Sequence, residues 1–209
     1  MIKNHNTIPS FFLLFYLFFT AISSVAQPDG IKLSQARIFS NSFERGVYKT
    51  EMSIHNKELT GLILIKRTGE TYRVVFLSEI GIKYFDIEVG GTEQNDFIVH
   101  YMLEMLNRKQ IITFIESTFR MLSMSFGEIK NEYSFLCDGS NNQVKVIKTQ
   151  TNGKFRFDYH PNFGQVFMMI HYGFLKKKLS IELSDYDYLA PSSMLATQKK
   201  IRLNLKQIE

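Results

Sequence analysis

The sequence of 209 residues has one cysteine, Cys137, and no tryptophan. A single cysteine cannot close a disulfide within the chain, so the folded domain must be held together by its hydrophobic core. Free cysteines behave in proteins as small buried apolar side chains. We therefore interpret Cys137 as part of the core and not as a catalytic thiol.

The sequence also lacks an apolar run of the length that a membrane-spanning helix needs. The run at 11–19 covers about ten residues, whereas a spanning helix requires about 20. Lys3 before this run and Ser24-Val25-Ala26 after it are typical of a secretory signal peptide. We predict cleavage after Ala26, a single domain over 27–209 and a periplasmic location. The residue directly after the predicted cleavage site is Gln27 and not a cysteine, so lipidation there is not expected. An anchor formed by the uncleaved N-terminal segment is the alternative.

Motifs for catalysis and for cofactors are missing as well. There is no Gly-x-Ser-x-Gly elbow, and the histidines show no spacing typical of a metal site. His171 is the best candidate for a general base, because it ends an apolar strand and could approach Asp185 or Asp187. No nucleophile motif accompanies it. We therefore predict a protein without enzymatic activity, cofactor or metal.

The charge of the chain argues against a nucleic-acid partner. Removing residues 1–26 takes away one lysine and no acid, so the formal charge falls from +5 to +4. This excess is mild, and an exported protein does not meet nucleic acid in the cell. We interpret the lysines at 176–178 and 199–200 as solvated residues that discourage edge pairing, with contact to anionic lipid headgroups as the alternative.

Apolar residues recur at every second position between turn signals over most of the predicted domain, which indicates antiparallel β-strands. One segment instead shows spacings of three and four, and it predicts a helix at 107–126 with Asn107 as its cap. A weaker helix is predicted at 31–39. The fold class is therefore mainly β (α+β), with about eleven strands at 48–54, 59–66, 72–78, 85–89, 97–102, 133–137, 144–148, 155–159, 166–172, 179–183 and 201–205.

Three strands are apolar on both faces, at 62–65, 74–77 and 166–170. A single helix covers only part of one face of a sheet, so a closed barrel, a second helix, a partner protein or a bound hydrocarbon chain must cover the rest. The chain has 19 Phe, 10 Tyr and 9 Met, side chains that suit an adaptable apolar pocket as well as an ordinary aromatic core.

The pattern "GLILIKR…YRVVFLSEIG…FDIE", with a helical insertion between two long antiparallel meanders, resembles the LolA/LolB-type half-barrel of bacterial outer-membrane lipoprotein carriers and receptors. The resemblance covers about residues 31–205. It implies an incomplete barrel with helices as a lid over a hydrophobic cavity that holds acyl chains. The expected function is a periplasmic carrier for a hydrophobic ligand, the acyl chains of a lipid or lipoprotein. The alternative is a non-catalytic accessory subunit that docks on an outer-membrane or envelope complex.

The expected ligand contacts come from the helix and from the strands that are apolar on both faces. Arg73 lies within an apolar strand, where it could face the cavity and act as a gate, or face outward and pair with Asp86 or Glu88. Ile80 stands in a turn, where it could touch a membrane surface transiently or fold back onto Phe85 or the sheet edge. The predicted ligand-binding residues are Arg73, Val75, Phe76, Ile111, Phe114, Ile115, Phe119 and Phe167, and the predicted membrane contact is Ile80.

Overall fold

The computed structural model describes residues 38–90, 97–126, 129–136, 143–149, 153–160, 165–173, 176–187 and 189–208. The predicted signal peptide, Cys137 and residues 31–37 of the predicted N-terminal helix lie outside these ranges. The described residues form twelve strands and one α-helix: β1 Arg45–Ile54, β2 Lys57–Thr68, β3 Thr71–Leu77, β4 Lys83–Gly90, β5 Phe97–Met102, α1 Lys109–Leu122, β6 Ile129–Leu136, β7 Gln143–Thr149, β8 Lys154–Tyr159, β9 Val166–Tyr172, β10 Lys177–Tyr186, β11 Pro191–Gln198 and β12 Ile201–Gln207.

All twelve strands belong to one antiparallel sheet, in the order β5-β4-β3-β2-β1-β12-β11-β10-β9-β8-β7-β6. Consecutive strands pair with each other, with the exception of β5 and β6, and β1 also pairs with β12, which joins the two meanders. The edge strands β5 and β6 do not pair with each other, so the sheet is not closed. The segment between them in the chain carries α1. The predicted mainly β fold with a central helical insertion is confirmed.

The sheet must be strongly curved, because α1 packs against both β4 and β10. These strands are six positions apart in the sheet order, which in a flat sheet would separate them by roughly 29 Å. A helix is only about 10–12 Å wide with its side chains. The sheet therefore wraps around the helix as a half-barrel. No helix in the described part of the chain is long and apolar enough to cross a membrane.

Alternation along the strands sets which side chains enter the core. In β1, Tyr48, Thr50, Met52 and Ile54 are buried, while the residues between them are half-buried or exposed. The register places Met52 opposite Leu203 of β12, so apolar side chains from adjacent strands meet on the same face. That face continues across the sheet and packs against the apolar face of α1.

The helix is shorter than the sequence predicts, because it begins at Lys109 and ends at Leu122 within the predicted range 107–126. A 3₁₀ turn at Glu104–Leu106 precedes α1, and the Asn107 N–H donates to the Glu104 carbonyl at 3.0 Å. Arg108 occupies the cap position of α1 and makes no side-chain capping bond, so the prediction of Asn107 as the cap is wrong. Asn107 ends the 3₁₀ turn, so it cannot also cap the start of α1.

The strand β11 was not among the predicted strands. Only Pro191, Met194 and Ala196 of this strand are buried, and two consecutive serines interrupt its pattern. Its ladders with β10 and β12 hold it in the sheet from both sides. Pro191 is tolerated because it stands at the first position of the strand.

Candidate functional site

A cleft of about 1050 Å³ lies beside α1 and is partly open to solvent. The helix contributes Thr113, Glu116, Ser117 and Arg120, which recur at spacings of three and four and so form one stripe. This stripe lies opposite the buried apolar stripe of the same helix. The polar face of the helix therefore faces the cleft. The opposite wall comes from the segment after α1 and from strands β6 to β10.

The wall of the cleft is rich in aromatic side chains. Phe126 packs on Phe155 with ring centroids 4.8 Å apart and on Phe157 at 5.3 Å. His171 lies nearly parallel to the Phe155 ring, at 4.5 Å between centroids and 16° between planes. Tyr133, Val146 and Tyr172 also line the cleft. Phe126 and Phe155 are each only 4% exposed, so the apolar surface that is open to a hydrocarbon comes from Tyr133, His171 and Tyr172.

Basic side chains dominate the charge of the cleft. The described lining residues include the cations Arg120, Lys148, Lys154 and Lys178 and one carboxylate, Glu116. Glu116 accepts a hydrogen bond from Arg120 at 3.0 Å, one turn along the helix. That ion pair neutralises Arg120. The three lysines give the cleft a net positive charge.

A second and smaller pocket of about 400 Å³ lies elsewhere, beside Phe167 of β9. The Phe167 ring stands edge-on to His160 at 6.3 Å. Tyr186 also lines this pocket; its hydroxyl donates to the Val166 carbonyl at 2.7 Å, and burial raises the pKa of its phenol. Phe167 is therefore not brought together with the predicted residues of the helix.

No protein-family model and no curated protein matches the sequence. Among solved structures, the chain is similar to a domain from Vibrio parahaemolyticus that is provisionally described as an outer membrane lipoprotein-sorting protein domain. The TM-score is 0.54 at 10% sequence identity, and the match covers 81% of this chain and 86% of that chain. The chain has the LolA/LolB-type fold. A DUF1329 family protein from Desulfovibrio piger matches with a TM-score of 0.43 at 8% identity, over 80% of this chain and 85% of that one.

Within this LolA/LolB-type fold, the predicted helix contacts lie in closed packing. Phe114 and Ile115 are fully buried, and Ile111 and Phe119 nearly so. The Phe119 ring stands edge-on to Phe85 of β4 at 6.2 Å. The cleft of about 1050 Å³ thus lies beside the helix, whereas the sequence places the cavity beneath it. The role of these four residues as ligand contacts stays a prediction.

Arg73 and Val75 lie on the face of the sheet that points away from the helix, whereas Phe76 is fully buried on the opposite face. The Arg73 guanidinium donates two hydrogen bonds to Asp86, at 2.9 and 3.1 Å, and Lys83 reaches the same carboxylate at 2.9 Å. The hydrogen bonds from Arg73, with those from Lys83, lower the pKa of Asp86. The structure therefore has the outward pair between strands, and these residues do not share one pocket with Phe76.

Ile80 stands at the tip of the turn between β3 and β4. Its side chain is 84% exposed, and that of Ile82 is 51% exposed. The turn is held by the Ser78 N–H, which donates to the Ile82 carbonyl at 2.8 Å, and by the Gly81 N–H, which donates to the Ser78 carbonyl at 3.0 Å. The expectation that Ile80 folds back onto Phe85 is wrong. Its role as a membrane contact stays a prediction.

Sequence reasoning did not identify Lys148, Lys154, Phe155 and Tyr172 as parts of a site. Their strands show ordinary β alternation, and nothing in the pattern indicates that they line one cleft with the polar face of a helix. His171 was noted only as a possible base near Asp185 or Asp187. In the structure it lies on Phe155 and lines the cleft.

Proposed function

We propose that this protein binds and carries a hydrophobic ligand, the acyl chains of a lipid or lipoprotein, in the cleft beside α1. The aromatic wall of that cleft carries the proposal. A volume of about 1050 Å³ lies slightly above the range of small-molecule sites, roughly 300–1,000 Å³, and leaves room for a long chain. The LolA/LolB-type fold is shared with a domain provisionally described as sorting outer-membrane lipoproteins, which makes lipid the first ligand class to test.

The proposal places the acyl chain against Tyr133 and Tyr172, aromatic lining residues that are not buried. Each methylene that leaves water contributes about 0.8 kcal/mol, so eight of them on this wall would contribute about 6 kcal/mol. The buried residues of α1, such as Phe114, lie on the side of the helix that faces away from the cleft, where they pack in the core. A chain long enough to displace the helix would contact them as well.

The function that we propose is that of a carrier and not of an enzyme. His171 belongs to the wall, since its ring lies flat on Phe155. A ring in this position gives the ligand a surface to pack on. The carrier acts in the periplasm after export, as the N-terminal sequence predicts.

The turn that carries Ile80 is proposed to touch the outer membrane during ligand delivery. Burying an exposed Ile side chain contributes about 1.5–3 kcal/mol. With Ile82 beside it, the turn could hold the protein at a lipid surface transiently, but not anchor it. Brief contact is what a carrier needs in order to leave again.

Native mass spectrometry of the purified mature protein tests the proposal. A lipid-sized adduct that organic extraction removes, and that returns on incubation with a fluorescent fatty acid, is the expected result. A protein that copurifies with no lipid and takes up none after extraction would refute it.

A second function is favoured by one separate observation, the composition of the edge strand β5. Ile98, Val99 and Tyr101 of this strand are 42–49% exposed, and an edge strand offers unpaired backbone groups to a partner. This surface suits an accessory subunit that docks on an envelope complex. Charged substitutions at Ile98 and Tyr101 would abolish such docking in a copurification assay and leave lipid binding unchanged.

A further inference from the structure

The lysines of the cleft are placed so that two of them repel each other. Lys148 of β7 and Lys154 of β8 are direct partners across the strand pair, so their side chains leave the same face of the sheet. Both are exposed. Like charges directly opposite each other on a sheet destabilise it. An anion bound between them would remove that cost.

Lys178 brings a third charge to the same cleft. Its side chain passes over Gly173, where an added Cβ would come within 2.5 Å of its Cε atom. Gly173 follows Tyr172, and Tyr172 is the strand partner of Lys154. Lys154 and Lys178 thus lie at the same end of β9. In the described part of the chain, none of the three lysines has an ion-pair partner, and the carboxylate of Glu116 is engaged by Arg120.

The chemistry of this cleft changes along its wall. Tyr133 and Tyr172 offer apolar ring surface on the same face of the sheet as Lys148 and Lys154. All three lysines are in contact with water. A ligand that satisfies both parts has a hydrocarbon chain and a negative group at one end. An acidic peptide or a nucleic acid would use the lysines but leave the aromatic wall empty.

On the basis of the proposed function, we propose that the ligand is a lipid with an anionic headgroup, a phosphate or a carboxylate, which lies among Lys148, Lys154 and Lys178 while its acyl chain packs on Tyr133 and Tyr172. The lysines select among lipids, and the aromatic wall supplies most of the affinity. Interactions of exposed charges change an affinity by roughly 1.5- to 5-fold per pair. Three such lysines therefore give a preference of roughly 3- to 100-fold over a neutral headgroup, and about tenfold is the value expected here.

The experiment compares two lipids with identical acyl chains, dimyristoyl phosphatidylglycerol and dimyristoyl phosphatidylcholine. Each competes with a bound fluorescent fatty alcohol for the delipidated full-length mature protein. The test variant carries Lys148→Gln, Lys154→Gln and Lys178→Gln. The control variant carries Lys49→Gln, Lys66→Gln and Lys206→Gln, which remove the same charge from exposed strand positions outside the cleft.

The proposal predicts that the wild type and the control variant bind the anionic lipid about tenfold more tightly than the zwitterionic one. The test variant should bind both lipids equally, with its affinity for phosphatidylcholine unchanged within about twofold. High salt should reduce the preference of the wild type.

Three results would overturn the proposal, and they are distinguishable. Equal affinity of the wild type for both lipids would remove the headgroup preference and leave the carrier function standing. If the control variant also loses its preference for the anionic lipid, the preference comes from the net charge of the protein and not from the three lysines of the cleft. Binding of neither lipid would overturn the carrier function and the headgroup preference together.

Discussion

Ser117→Trp should block the cleft and report on it in the same experiment. Ser117 lies on the polar stripe of α1 that lines the cleft, and it is outside the hydrophobic core. The chain contains no tryptophan, so the introduced side chain is the sole indole fluorophore. Its bulk would occupy space that we assign to the acyl chain. Its emission should be shifted to the blue by the aromatic wall.

The expected size of the effect follows from linkage between binding and unfolding. A substitution outside the core changes the free energy of unfolding by about 0.5 kcal/mol or less. For the wild type, a ligand at one hundred times its dissociation constant adds about 2.7 kcal/mol. At about 2–4 °C per kcal/mol for a domain of this size, Tm should rise by about 5–11 °C. If Ser117→Trp weakens binding about 100-fold, the same ligand concentration adds only about 0.4 kcal/mol, a rise of about 1 °C.

The assay is thermal unfolding followed by far-ultraviolet circular dichroism, with and without a saturating fatty acid. Gln110→Trp is the matched control, because Gln110 is exposed on the same helix and does not line the cleft. It should keep the full ligand-induced rise and an emission typical of solvent. A Ser117→Trp variant that is folded and keeps the wild-type rise would place the ligand elsewhere and refute the assignment of the cleft.

Three further predictions concern residues outside the cleft. Phe114→Ala removes a fully buried ring and should lower the free energy of unfolding by about 3–5 kcal/mol in urea titrations, while leaving ligand affinity within a few-fold. Asp86→Asn should lower the free energy of unfolding by about 1–3 kcal/mol at pH 7. Pairing with Arg73 lowers the pKa of Asp86, so this contribution is present above the ordinary carboxyl pKa and disappears as the pH falls through the lowered value. The stabilities of the variant and the wild type should therefore converge in acid. Ile80→Glu should weaken sedimentation with vesicles and leave Tm unchanged, since Ile80 is exposed; a fall in Tm without a change in vesicle binding would contradict the proposed membrane contact.

Much of the fold could be predicted because burial on one face leaves a period of two in the sequence. Strand β12, with Ile201, Leu203 and Leu205 buried and the residues between them at least partly exposed, shows this pattern without interruption. Strand β11 does not show this pattern, because backbone pairing with β10 and β12 holds it in the sheet and few of its side chains enter the core. The start of α1 was misplaced for a related reason. Asn107 is a good capping residue by type, but the 3₁₀ turn before the helix already uses its backbone.

The site was harder to predict, since it depends on which faces meet in space. The strands that are apolar on both faces suggested that something must cover the outer face. In the structure, Leu62 and Leu64 of β2 lie opposite Leu77 and Val75 of β3, and these side chains pack beside each other while staying partly exposed. Contacts between side chains of adjacent strands thus bury part of the apolar surface that the sequence analysis expects a ligand or another element to cover. The cleft, by contrast, is lined from the helix by its polar face, which the sequence indicates as solvent-exposed.

That polar face explains why the cleft stays open. If α1 and the aromatic wall closed on each other, Arg120 and Glu116 would lose water against the tyrosine rings of the wall. Burying an ion pair costs more than the contact returns unless further hydrogen bonds compensate. The apolar face of the helix is already occupied by β4 and β10, so the helix cannot turn to offer it instead. The wall therefore remains available to a molecule that brings its own hydrocarbon. A lipid does this without burying the ion pair, because its chain can lie on Tyr133 and Tyr172 while its headgroup stays among the lysines at the water boundary.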